Sequence, residues 1–206
     1  MTVNPNRLLK LALAGAAGIA LSGCALLSSP DPVQLYRFGS DVETTPRSPA
    51  GDPVPVLLRP VDFPFASRGD RVLGITGNEA AYIKGARWVS PAEDLYGASL
   101  RAAFASQATR VRLINQREAS TAARTLDVEI QSFEAEYAAP ETIPTVVLSA
   151  RARILRYPER TVVEERSFTV RQPATENRVS AIVEAFDIAS RDLNTQIVDW
   201  TEQTAS

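Results

Sequence analysis

The 206-residue chain carries 22 basic and 24 acidic side chains, a net charge of −2, and no histidine. That balance, with no basic stripe, excludes nucleic acid as a partner, and the missing imidazole removes the commonest general base and the commonest transition-metal ligand. A single cysteine, Cys24, leaves no disulfide to be made within the chain.

Arg7 and Lys10 precede an apolar run from Leu11 to Leu21. The run is far shorter than the roughly 20 residues of a membrane-spanning helix and has the layout of an export signal. It ends in Leu21-Ser22-Gly23-Cys24, which resembles a bacterial lipobox: an aliphatic residue, two small ones that allow an extended backbone into a peptidase groove, and a thiol that accepts a diacylglyceryl group. An ordinary cleavage site with an incidental cysteine is the alternative. A lipobox cysteine implies three fatty chains of the palmitate type, and because two or more chains anchor a protein stably, the mature domain is expected to be held permanently at a leaflet. Ala25 follows Cys24 where many inner-membrane lipoproteins carry Asp, so the same resemblance implies the outer membrane, facing the periplasm. The expected organisation is a cleaved signal at 1–23, a lipidated tether at 24–32 and one domain at 33–206. Removing the signal, which holds two basic and no acidic residues, leaves 183 residues with a net charge of −4, enough for one core.

Val33 to Phe38 has the aromatic and β-branched content of a first strand. Pro46, Pro49, Pro53 and Pro55 then mark a loop, and Val54 to Val61 reads as a nearly continuous apolar strand. Phe65 to Gly77 is irregular, with weak pairing expected at Val72 to Ile75, and Asn78 to Ile83 is expected as a short edge strand carrying Tyr82. Ser90-Pro91-Ala92-Glu93 predicts a helix start capped by Ser90, with Pro91 at the first helical position and Glu93 returning the capping bond. The helix to about Ala108 places Ala92, Tyr96, Leu100, Ala103 and Phe104 on one stripe. With Val111 to Ile114 as the next strand, the strand, helix, strand order predicts a parallel pair.

Leu126, Val128 and Ile130 alternate, and the alternation resumes out of phase at Phe133, Ala135 and Tyr137, which predicts a bulge near Gln131 and Ser132. Val146 to Ile154 alternates apolar with Ser149, Arg151 and Arg153, and Thr161 to Val170 follows a turn at Tyr157 to Arg160, completing an antiparallel meander. Val179, Ile182, Val183, Phe186, Ala189, Leu193, Ile197 and Trp200 predict one amphipathic helix of about 25 residues, roughly 37 Å long. That length leaves room for its last turns to project beyond a small sheet. The expected fold class is α/β: a single domain with a mixed sheet, an antiparallel meander, one central amphipathic helix and a long C-terminal helix packed on it.

Catalytic motifs are missing. Gly97-Ala98-Ser99-Leu100-Arg101 lacks the second glycine of a nucleophile elbow, and no phosphate loop or dinucleotide fingerprint occurs. Glu164-Glu165 and Glu134 with Glu136 read as a solvated sheet face beside Arg160 and Arg166 rather than as an acid and base pair. The expectation is a protein with no enzymatic activity, no cofactor and no metal.

The stretch Gly77 to Trp88 (GNEAAYIKGARW), followed by Ser90-Pro91 and the Tyr96, Leu100, Phe104 helix, resembles the signature of the ABC-type transport auxiliary lipoprotein components, the paraquat-inducible protein C-like family. The order of a Tyr-containing strand, proline-rich loop, this block, three strands and a long helix matches essentially the whole mature chain. Val89-Ser90-Pro91 departs from the acidic residue and leucine that often follow the Trp. The resemblance implies a mixed-sheet α/β fold and an outer-membrane lipoprotein. It further implies work in lipid traffic between membranes with an ABC permease, its ATPase and a mammalian-cell-entry (MCE) domain protein, and in some members ring-shaped homo-oligomers. Tyr82, Arg87 and Trp88 are the candidate contact residues for that partner or a neighbouring subunit, since aromatics and Arg dominate interface hot spots. The alternative is that Tyr82 and Trp88 pack under the first helix while Arg87 bridges a carboxylate or carbonyl. A competing function is activation of a peptidoglycan synthase, which would want a longer tether than the eight residues Ala25 to Pro32, spanning at most roughly 29 Å. A lipid hydrolase would have to act without histidine or a serine motif.

Overall fold

A computed structural model describes residues 33–39 and 51–205; the signal, Cys24 and most of the proline-rich loop lie outside the described residues. In chain order the elements are β1 (Gln34–Tyr36), β2 (Val54–Leu58), β3 (Arg71–Thr76), β4 (Glu79–Trp88), helix α1 (Ala92–Gln107), β5 (Val111–Ile114), a 3-10 segment (Gln116–Thr121), β6 (Arg124–Tyr137), β7 (Thr145–Arg156), β8 (Val162–Pro173) and helix α2 (Val179–Thr204). The eight strands form one mixed sheet, the α/β architecture expected from the sequence.

Strand β6 is the hub. One edge pairs antiparallel with β7 along almost its whole length, and β7 pairs antiparallel with β8, giving the meander. Its other edge is shared: the Arg124 end pairs parallel with β2, and the Ala135 end pairs parallel with β3. Between them Asp62 makes a single bridge, donating its N–H to Val128 O and accepting from Ile130 N, at 3.0 and 2.8 Å. The sheet therefore forks into two branches, β2–β5 and β3–β4–β1. The β6–β7 register slips between Ile130 and Ser132. This bulge lets Ile130 and Phe133 both point into the core despite their odd spacing.

Four local expectations change. Val72 to Ile75 is no weak pairing but part of β3, bonded to β4 on one side and β6 on the other. Strand β4 runs on to Trp88 and is not an edge, since β1 adds to it in parallel. The parallel partner of β5 is β2: Gly77, at φ +57°, folds β4 back on β3, so the strand entering α1 runs opposite to β5. The helix begins at Ala92 with Pro91 in the capping position and no side-chain cap; instead Ala92 N–H donates to Gly69 O at 3.0 Å, and Glu93 and Asp94 complement the helix dipole.

Both helices cover the same face, for Tyr96 of α1 and Phe186 of α2 both meet the ring of Phe133. The predicted α1 stripe is wholly buried, as are Ile182, Val183, Phe186, Ala189, Leu193, Ile197 and Trp200 of α2. The last turns of α2 do not project. Trp200, Thr201 and Ala205 are buried, and Glu164 of β8 accepts from Trp200 Nε1 at 2.8 Å and Thr204 Oγ1 at 3.2 Å.

Candidate functional site

Tyr82, Arg87 and Trp88 share one strand but not one environment. Gly85, at φ +74°, shifts the alternation of β4 so that Ala86 and Trp88 turn inward while Arg87 stays outside. Trp88 is 2% exposed and stands edge-on to Phe38 and Phe186, with ring centroids 4.9 and 5.4 Å away. Arg87 faces solvent, and its Nη1 reaches both carboxylate oxygens of Asp70 at 2.9 and 2.8 Å. Tyr82 is on the outer surface, away from α1: its hydroxyl donates to Ala66 O at 3.1 Å, and the Arg71 guanidinium lies 3.6 Å over its ring. At the surface, then, the structure brings Tyr82 and Arg87 together around Arg71, whose register partner is Arg87, and sends Trp88 into the core.

A second feature was not foreseen. Where the end of α1, the tip of β2, strand β5 and the 3-10 segment meet, they enclose a groove of about 710 Å³. Leu58, Phe104, Ala105, Val111, Leu113 and Ile114 give it apolar walls, and Arg101, Arg112, Asn115 and Glu118 stand among its polar residues. Arg112 and Glu118 pair at 3.3 Å. Beside the groove, β5 pairs with no strand other than β2 among the described residues, so its outer edge beyond Val111 N–H offers backbone donors and acceptors.

The wall at β5 is held from a distance by Glu202 in the last turn of α2. Its Oε1 accepts the backbone N–H groups of Thr109, Arg110 and Val111 at 2.6, 2.5 and 3.3 Å. Burial pushes this carboxyl up, but the three N–H donors and the Arg110 charge together outweigh it and hold it below the usual carboxylate range. The helices are pinned in a similar way: Asn194 Nδ2 donates to the buried Ser99 Oγ at 2.8 Å, and Gly39 N–H donates to Asp187 Oδ1 at 2.7 Å. A side chain at Gly39 would strike Ser99, whose Oγ lies 2.4 Å from where a Cβ would stand.

The sequence carried a signal for the Asn194 clamp, a polar residue on the apolar stripe of α2. It carried none for Glu202, whose role depends on the end of α2 reaching the start of β5. Of the carboxylates weighed as acid and base, Glu164 is a hydrogen-bond acceptor for the C-terminal helix, and its donors, Trp200 foremost, keep it below the ordinary range. Glu134 is raised by burial and by the like charge of Glu136. Among the described residues no group of three His, Cys, Asp or Glu could hold a metal ion, and no helix is long and apolar enough to cross a membrane.

The sequence profile of the ABC-type transport auxiliary lipoprotein component family matches residues 36–198. No curated protein matches the chain. Among solved structures it is similar to a protein from Xanthomonas campestris, with a TM-score of 0.69 and 24% identity over 84% of this chain and 96% of that one. An uncharacterized protein gives a TM-score of 0.65 with 16% identity, covering 82% of this chain and 99% of its own. A hypothetical protein from Chlamydia trachomatis gives 0.53 with 11% identity, covering 74% and 98%. At these identities the likeness is one of fold.

Proposed function

Since the chain belongs to the ABC-type transport auxiliary lipoprotein components, we propose that it is a non-enzymatic, acylated auxiliary subunit of an ABC and MCE-type system that moves phospholipid between the two membranes. The family match over nearly the whole domain carries this reading. The lipobox-like Leu21 to Cys24 supports it by supplying the anchor, with Ala25 favouring the outer membrane and a periplasm-facing domain. Work as a docking piece suits a chain whose Glu202, Asp187 and Asn194 are engaged in holding helices and strands.

The groove beside β5 is where we place the partner of the transport system, as an extended apolar segment that adds a strand to the free edge and seats alternate side chains between β5 and α1. Ala105 is exposed and lines this groove, so Ala105→Glu is expected to leave folding intact and to abolish co-purification of the MCE-domain protein and its permease with the anchored form. Retention of those proteins by the variant would remove the groove from the proposal. Mass spectrometry of the native product tests the anchor: an unacylated Cys24, or an intact signal, would overturn it. Loss of the chain should cause a lipid-asymmetry or detergent-sensitivity defect, and unchanged envelope integrity without a redundant paralogue would sink the transport role.

A further inference from the structure

The outer face of the β3–β4–β1 branch combines features that neither the core nor the groove uses. Phe65 is 85% exposed and Leu35 55% exposed, with Tyr82 at 36%. These side chains form one continuous surface. Leu35 is the register partner of Arg87, Arg87 that of Arg71, Arg71 covers the Tyr82 ring, and the Tyr82 hydroxyl bonds to Ala66, next to Phe65. Arg68 completes it, its guanidinium 5.4 Å from the Phe65 ring centroid.

Arg87 is neutralised by Asp70, whereas Arg68 and Arg71 lie against ring faces. A guanidinium stacked on a ring keeps its N–H edge for phosphate oxygens. Aromatic rings with arginines at their rim form the composition that settles at a membrane interface, the rings among headgroups and acyl boundary and the cations on phosphate.

We infer that this face, from Leu35 through Arg87, Arg71 and Tyr82 to Phe65 and Arg68, rests on an anionic phospholipid surface. The inference leans on the reading of the chain as an anchored lipoprotein. Only about eight residues, Ala25 to Pro32, separate the acylated cysteine from Val33, a reach of at most roughly 29 Å. The chain enters the domain at β1, whose own Leu35 belongs to the face. A tether that short keeps the face at high effective concentration over the leaflet, so a contact that holds the free protein only modestly suffices to orient the anchored one. The groove beside β5, on the other branch of the sheet, is then left to the partner.

The test uses the mature chain carrying Cys24→Ser, so that no acyl chain contributes, with vesicles of phosphatidylethanolamine and phosphatidylglycerol set against vesicles of phosphatidylcholine alone. Co-sedimentation is expected with the anionic vesicles only. Phe65→Ser should weaken it about tenfold and Arg68→Ala about fivefold, each with an unchanged thermal midpoint because both side chains are exposed. High salt should erase the Arg68 effect and spare that of Phe65. Phe65→Trp keeps binding and adds an emission that shifts to the blue on the vesicles. Absence of binding to the anionic vesicles, equal binding by all variants, or a Phe65-dependent self-association in place of vesicle binding would each overturn the inference. None of these outcomes bears on acylation or co-purification, which test the transporter reading separately.

Discussion

Strands β6, β7 and β8 run 14, 12 and 12 residues, whereas β1, β2 and β5 run three, five and four. The long strands hold one another through continuous ladders, and their inward residues, Leu126, Val128, Leu148, Ala150, Ala152 and Ile154, are fully buried under α2. The short strands lack that length of ladder. Polar clamps reach them from elsewhere in the chain: Glu202 to the start of β5 and Asp187 to Gly39 just beyond β1. One region is stabilised almost wholly by apolar area, whereas the other adds to a smaller apolar share, such as Val56, Leu58 and Val111, a few directional bonds at part-exposed positions. Segments held in the second way lie toward the low end of local stability, and they frame both surfaces proposed for binding.

Phe133 is where the two regions are fastened, for its ring meets Phe38, Phe63, Trp88, Tyr96 and Phe186. Phe133→Ala is expected to cost about 3–5 kcal/mol, read as a lower urea midpoint with an unchanged slope. A loss below about 1 kcal/mol would mean that the branches and the meander do not share one core.

Glu202→Ala separates the regions more cleanly. It leaves the N–H groups of Thr109, Arg110 and Val111 without this acceptor, at a cost of about 2 kcal/mol. Hydrogen exchange should quicken at 109–114 and stay unchanged in β7. The carboxyl is held below its usual range, so its contribution is present above the unfolded value and is lost as pH falls through the lower folded one. The wild-type advantage over Glu202→Ala should therefore shrink only in acid; an advantage that persists there would show that packing, not charge, holds β5. Glu134 runs the other way on the meander. Burial and then the neighbouring Glu136 raise it, so its charge weakens the fold at neutral pH. Glu134→Gln should stabilise only slightly, by at most about 0.5 kcal/mol because the side chain is part-exposed and water screens its charge, a gain that vanishes as pH drops through the raised value.

The same contrast explains what could be read from the chain. The meander, the bulge and both helix stripes were legible because side-chain periodicity encodes them locally, as at Ile130 and Phe133 or along Val179 to Trp200. The branches were not. Arg71 to Thr76 looked irregular because Gly74 interrupts its apolar pattern, yet Gly74 is where Tyr137 packs close, 3.3 Å from where a Cβ would stand. The partner of β5 could not be read because a reversal at Gly77 decides it, and no local pattern fixes which distant strand lies beside Val111. Ser90 has capping chemistry, but Pro91 stands at the cap and the Gly69 carbonyl, from a distant loop, accepts the first helical N–H. For the candidate residues, spacing placed Arg87 and Trp88 on opposite faces of β4, while the distant Phe38, Phe133 and Phe186 decided which face would be covered.

The smallest effect bears on Arg87. Its bonds to Asp70 are short and reach both oxygens, geometry that invites a structural role, yet the two side chains are 44% and 46% exposed. At such exposure water competes for both partners, and ordering two side chains offsets most of the Coulomb gain. The backbone bond from Trp88 N–H to Asp70 O, at 2.6 Å, already fixes this corner without the pair. Arg87→Ala should therefore cost only a few tenths of a kcal/mol, less still in 1 M salt where screening acts within about 3 Å. A loss above about 2 kcal/mol that survives salt would make the Arg87–Asp70 pair a true fastening of the β1 branch, a second clamp on it beside the Asp187 bond to Gly39.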